Sequence, residues 1–330
     1  MRIPLWCTGA LLTILLASGC NEEFSPKVPV GNRYYLFCIV NATPLGGGVH
    51  FAVVDRMYDV EGLDPARNTV DPFVAGTEIV LTVRGQEYVF RRGQMARLDT
   101  SRYTTAVHYY YASGMTIVAR DAVAIRATLP DGTVLTSSTV VPDFNAAQSI
   151  PQFANGVTTL VNRYTIGDTW QLVWEGLLSS EEHLFFPRLL LTYTVTDSAG
   201  THFHTEPVPF KYVQYNGQYL PVYPSYQTTP SMEVEFDALD RFMEGIGQGI
   251  VDKSSVHVQF LSLVVIECDQ ALSRYYSSVN GYMDQFSVRL DERTYTNIQG
   301  GEGIFGSSTT TSLKFPVNAK YADRFGYRVE

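Results

Sequence analysis

The chain has 330 residues, 45% of them hydrophobic, 13% aromatic and 17% charged, with a formal charge of −9. That is length enough for two domains with real cores. An acidic balance without a basic patch excludes nucleic acid, and electrostatic docking on anionic lipid, as modes of binding.

Residues 1–19 read as a secretory signal. Arg2 supplies a positive charge, Leu5 to Ala17 form an apolar run, and Ser18 and Gly19 are small. The apolar run of about 13 residues falls short of the roughly 20 that a membrane span needs. Leu16-Ala17-Ser18-Gly19-Cys20 resembles a bacterial lipoprotein signal. In that family the cut falls before the cysteine, so lipidation at Cys20 is expected, with a tether over 20–32. Several acyl chains, at about 0.8 kcal/mol per buried methylene, would make the attachment lasting. Cys7 leaves with the signal. Cys38 and Cys268 remain, either as one disulfide or as two buried thiols.

Val, Thr and Tyr in alternating runs favour strands over helices. Strands are expected at 33–40, 49–56 and 77–84, with a tight turn at Gly85-Gln86 into 87–91. Residues 59–72 read as a surface loop, followed by strands at 115–120 and 122–129. Pro130-Asp131-Gly132-Thr133 turns the chain into a strand at 134–141. Short strands at this spacing describe an immunoglobulin-like β-sandwich over 33–142, with a linker to residue 151. A second β-rich domain is expected over 151–330, with strands at 157–162, 169–174, 184–197, 201–206, 256–266, 286–290 and 312–317. Its Asn216-Gly217 pair is a strong hairpin signal. Two segments change to a helical period. Residues 237–246 put Leu239, Phe242, Met243 and Ile246 on one face, and Asp269 caps a helix burying Leu272, Tyr275, Tyr276 and Val279. The expected class is all-β, mostly β with two short helices: the sandwich first, then a larger β-sandwich or open barrel.

The order of these pieces resembles the Bacteroidota lipoproteins catalogued as "domain of unknown function 4249". The most specific element is Asn297-Ile298-Gln299-Gly300-Gly301-Glu302-Gly303-Ile304-Phe305-Gly306, with the Ser138 to Pro142 exit and the strand-to-helix stretch 261–276 beside it. The resemblance implies an outer-membrane lipoprotein, periplasmic or cell-surface facing, often partnered with a TonB-dependent receptor barrel. It carries no catalytic residues.

Among candidate sites, Gly301, Gly303 and Gly306 fit G-x-G-x-x-G, yet no βαβ unit surrounds them, so they read as a tight loop. His202, His204 and Glu206 share a strand face and read as solvated surface, so no metal site is assigned. His183 lies beside Glu181 and Glu182 without a nucleophile, and neither HExxH nor GxSxG occurs. No catalytic residue and no cofactor is expected. The stretch 210–226 is the chemically distinctive one. Tyr212, Tyr215, Tyr219, Tyr223 and Tyr226 suit sugar rings and protein partners alike, if they do not turn inward as core. The expected function is therefore a non-catalytic, lipid-anchored accessory or binding protein near a TonB-dependent receptor. The alternatives are a glycan-binding or adhesive surface lipoprotein, and a hydrolase with a dispersed acid pair.

Overall fold

The computed structural model describes residues 33–42, 48–58, 60, 64–143, 152–153, 169–174, 183–278 and 295–330. The signal, Cys20, the tether, most of the linker and the strands expected at 157–162 and 286–290 lie outside the described residues. Of the described residues, strands take 53% and helices 12%, which is the mostly β class expected, and no sheet among them closes into a barrel.

The first half supplies β1 (Tyr34–Ala42), β2 (His50–Arg56), β3 (Glu78–Val83), β4 (Gln86–Val89), β5 (Arg91–Met95), β6 (Val107–Ala112), β7 (Ala122–Thr128) and β8 (Val134–Val140). There follow β9 (Gln152–Phe153), β10 (Thr169–Val173), β11 (Phe185–Asp197), β12 (Gly200–Val208), β13 (Lys211–Tyr215), β14 (Gln218–Val222) and β15 (Ser231–Glu235). The chain closes with α1 (Phe236–Ile246), β16 (Val256–Cys268), α2 (Gln270–Ser278), β17 (Glu302–Pro316), α3 (Ala319–Asp323) and β18 (Arg328–Val329).

A nine-stranded sheet forms the spine, in the order β12-β11-β16-β17-β1-β2-β6-β5, with β18 beside β16. A four-stranded sheet, β4-β3-β7-β8, packs on its N-terminal end. Leu36, Val40 and Val54 from one sheet meet Ile79, Leu81, Val123, Ile125 and Leu135 from the other in one core. The alternation of β2 and β7 predicts this, because every second residue points across the gap. A second core, around Trp170, Leu191, Phe242, Leu263 and Tyr321, joins the C-terminal end of the spine to α1 and α3. A third puts α2 against β11 and β16 through Phe186, Leu272 and Tyr276.

The boundary expected between 33–142 and 151–330 is not a boundary in the sheet. β17 lies parallel to β1, with Leu36 opposite Gly303 and Val40 opposite Ser307. Phe305 and Ile298 complete the N-terminal core from the far end of the chain.

Local signals held where turn chemistry decided them. Asn216-Gly217 has φ of 50 and 79, the paired positive values of a two-residue hairpin turn. The first hairpin instead turns one residue before the expected Gly85-Gln86, at Arg84-Gly85 with φ of 50 and 78, and Gln86 already pairs with Val83. Asp269 accepts from the Leu272 amide at 2.8 Å and caps α2 as expected. Other readings change: a third short helix, α3, and the strand β15 appear where none was expected. The segment 115–120 is irregular, although Met115 and Ile117 are buried from it. β6 went unexpected, because its run Val-His-Tyr-Tyr-Tyr-Ala masks alternation: Tyr110 is core, while Tyr109 packs on Phe51 across the other face. β17 starts ten residues before the expected 312, inside the glycine-rich stretch.

Cys38 and Cys268 are both free and buried. They sit on β1 and β16, which flank β17 on opposite sides. Two strand spacings, roughly 10 Å, exceed the ~7 Å reach of a disulfide. Burial pushes the Cys38 thiol up to about 12, and burial with Asp269 and Glu267 also raises Cys268, so neither is a ready thiolate.

Candidate functional site

The β13–β14 hairpin stands over α1, and its register sorts the tyrosines. Tyr212 lies opposite Pro221 and Gln214 opposite Tyr219, so Tyr212 and Tyr219 share a face. Tyr215 and Val213 point the other way with Leu220. α1 buries Ala238, Leu239, Phe242 and Met243, which leaves Arg241 and Glu244 on the flank toward the hairpin. Hairpin and helix together enclose an open cleft of about 520 Å³, lined among others by Tyr212, Tyr219, Arg241, Glu244, Gln248 and Lys253. The Arg241 guanidinium carbon lies 3.8 Å over the Tyr219 ring, close enough for a cation–π contact. Burial and the nearby Tyr223 phenol raise the Tyr212 pKa, with Arg241 opposing them, so these groups form one cluster.

Several anchors hold the helix in that pose. Tyr327 donates to the Met243 carbonyl at 2.6 Å and fills the space where a side chain on Gly247 would stand. Tyr321 donates to Asp240 at 2.9 Å, and Arg324 pairs with the same carboxylate at 3.4 Å.

Of the five tyrosines expected to form a surface, the structure brings Tyr212, Tyr219 and Tyr223 together. Tyr226 instead packs edge-on against Phe186 in the third core, 6.3 Å between centroids. Tyr215 is 66% exposed on the opposite face, beside Val213 at 47% and Leu220 at 44%. Arg241 escaped sequence reasoning, since nothing local marks which helix a hairpin will cover.

The glycine-rich stretch is a structural seam rather than a loop. Asn297 donates to the Phe305 carbonyl at 2.6 Å and accepts from its amide at 2.9 Å, standing in for a strand partner. Gln299 pairs through its backbone with Thr136 of β8. A side chain on Gly301 would come 2.7 Å from the Tyr34 carbonyl oxygen, and one on Gly306 would run into the Leu272 side chain. Gly300 faces the Val134 carbonyl with φ 83, and Gly303 sits inside β17 with φ 117. The glycines admit close backbone approach, which answers the dinucleotide motif they imitate.

On β12, His204 stacks on Tyr193 at 4.9 Å, Glu206 accepts from the Tyr193 hydroxyl at 2.6 Å, and His202 pairs with Asp197 at 3.3 Å. No group of three metal-binding side chains gathers among the described residues. His183 pairs with buried Glu267 at 2.9 Å, and Glu181 and Glu182 lie outside the described residues.

One carboxyl pair does form. Asp55 on β2 lies near Asp71, and burial first, then the Asp71 charge, push it up to about 7 against the pull of Arg97. Asp71 already accepts from the Phe73 amide at 3.1 Å, Arg97 at 3.1 Å and Thr105 at 2.8 Å. It lines a cleft of about 430 Å³ with Tyr34, Arg56 and Phe73, whereas Asp55 is not part of that lining. The pair therefore reads as a buried structural contact and not as an acid–base dyad facing a substrate. Between 3.8, its ordinary value, and about 7, native Asp55 holds a proton that the unfolded chain has lost. Stability from this group is thus complete below the lower value and declines as pH rises, by up to about 1.4 kcal/mol per pH unit. Asp55→Asn should gain on the wild type by roughly 2–4 kcal/mol at about pH 8 and lose that advantage toward pH 4. Urea midpoints at the two pH values check this, and a pH-independent difference would refute it.

No family model matches the sequence, and no curated protein matches it.

Proposed function

We propose that the chain is a lipid-anchored, non-catalytic binding protein of the outer membrane that takes a saccharide into the hairpin–α1 cleft. The observation that supports this most is Tyr212 and Tyr219 on one hairpin face above the charged flank of α1. Aromatic rings accept the C–H face of a pyranose, while Arg241, Glu244 and Gln248 offer the donors and acceptors its hydroxyls need. The anchor rests on Cys20 and the small residues before it. The full-length protein in detergent should bind oligosaccharides saturably, and Tyr212→Ala should weaken that binding about tenfold or more while the fold survives. Screening a broad glycan panel with no binding at all would sink the reading.

A second reading has its own support. Val213, Tyr215 and Leu220 form an exposed apolar group on the opposite hairpin face, which suits a protein partner such as the TonB-dependent receptor barrel that the family resemblance implies. A photo-crosslinker placed at Tyr215 in intact cells should then capture one large outer-membrane barrel. Capture of nothing, or of many unrelated proteins, rejects this partner.

A further inference from the structure

We infer that the hairpin–α1 cleft selects saccharides that carry a carboxylate, such as uronic acids, with Arg241 as the clamp; the inference rests on the saccharide reading above. Arginine usually meets one of two ends in a folded protein: a carboxylate partner, or a solvated position with a mobile side chain. Arg241 has neither. Its guanidinium carbon lies 3.8 Å over the centre of the Tyr219 ring, a separation that fits a stacked group, and no ion pair joins it to a carboxylate among the described residues. Stacking uses the face of the group and leaves the N–H donors around its edge available, at the border of the cleft. A planar fork already fixed in orientation gives up little conformational freedom when it binds a carboxylate with two parallel hydrogen bonds.

The remaining charges in the cleft agree with this division of labour. Lys253 lies on the same lining and adds a second cation. Glu244, one turn along α1 from Arg241, is the only acid of that lining, and it suits the hydroxyl donors of a sugar ring. Two cations to one anion favour an acidic ligand over a neutral or basic one. Tyr212, whose face is not covered by Arg241, is the platform for the ring that bears the carboxylate. Lysine at position 241 would keep the charge and lose the fork, so geometry and charge can be separated.

The test uses the full-length protein in detergent, with a galacturonic acid tetramer and its methyl ester as probes. The two share every ring and hydroxyl and differ only at the carboxyl group, which the ester leaves uncharged and capped by a methyl. The acid should bind at least about tenfold more tightly than the ester. Arg241→Gln should erase that preference, and Arg241→Lys should restore only part of it. Tyr212→Ala should weaken both probes alike. Arg241 is exposed and outside the core, so unchanged circular dichroism is expected and confirms the comparison. Equal binding of acid and ester, or an acid preference that survives Arg241→Gln, would overturn the carboxylate assignment and leave saccharide binding intact. Failure of both probes, together with failure of neutral oligosaccharides, would overturn both.

Discussion

Gly303→Ala is expected to leave no stably folded protein. Gly303 has φ 117, a conformation that costs an L side chain of order 1–3 kcal/mol before any contact is made. The new methyl would land on the Leu36 carbonyl oxygen and within 2.8 and 2.9 Å of the carbonyl carbon and nitrogen of that residue. These are backbone atoms of β1, hydrogen-bonded into the sheet on both sides, so no rotamer change relieves the clash. Relief requires β1 and β17 to separate, which also withdraws Phe305 and Ile298 from the N-terminal core. The loss should exceed about 4 kcal/mol, against a total stability of about 5–15 kcal/mol for an ordinary domain. Gly245→Ala is the control: that glycine lies in α1 with nothing within 4 Å, and alanine there should stabilise by about 0.5–1 kcal/mol. Circular dichroism and urea unfolding of the pair decide it. A Gly303→Ala protein that unfolds within about 1 kcal/mol of wild type refutes the account.

Asp269→Asn should cost about 3–5 kcal/mol, although it changes one atom. The carboxylate is 3% exposed and ties three elements together. One oxygen caps α2 through the Leu272 amide at 2.8 Å. The other accepts from Thr139 of β8 at 2.6 Å and from the amide and hydroxyl of Ser307 in β17, at 2.5 and 2.8 Å. Burial raises its pKa and these hydrogen bonds pull it back down. Asparagine can still cap the helix with its oxygen. Its amide then points two N–H donors at three donors, leaving buried groups unsatisfied. The companion Thr139→Val removes one donor only and should cost about 1–2 kcal/mol. A loss below about 1 kcal/mol for Asp269→Asn, which keeps the cap, would show that Asp269 acts through the cap alone.

What the sequence made legible was local. Asn216-Gly217, Pro130-Asp131-Gly132 and the Asp269 cap act within four residues, and each appears where expected. The α1 face Leu239, Phe242 and Met243 was equally plain from its period. Long-range approach was not legible. Glycines at 300–306 look like a loop until the strand that passes against them is known, and that strand begins at Tyr34. In the site, alternation alone separates Tyr212 and Tyr219 from Tyr215. Tyr226 as core and Arg241 as a stacking partner depend on tertiary packing that no short window contains.

The parallel seam between β1 and β17 also dictates an order of events. Arg33 and Glu302, which meet beside it, are 269 residues apart, so β1 is synthesised long before its neighbour. β2 can cover one side of β1 at once through a short connection. The other side, an almost wholly apolar strand, stays open until nearly the whole chain has been made. Closure over so long a loop is slow, and an uncovered edge of this kind invites pairing with other chains. That edge therefore needs shielding from the moment β1 is made until β17 arrives to cover it.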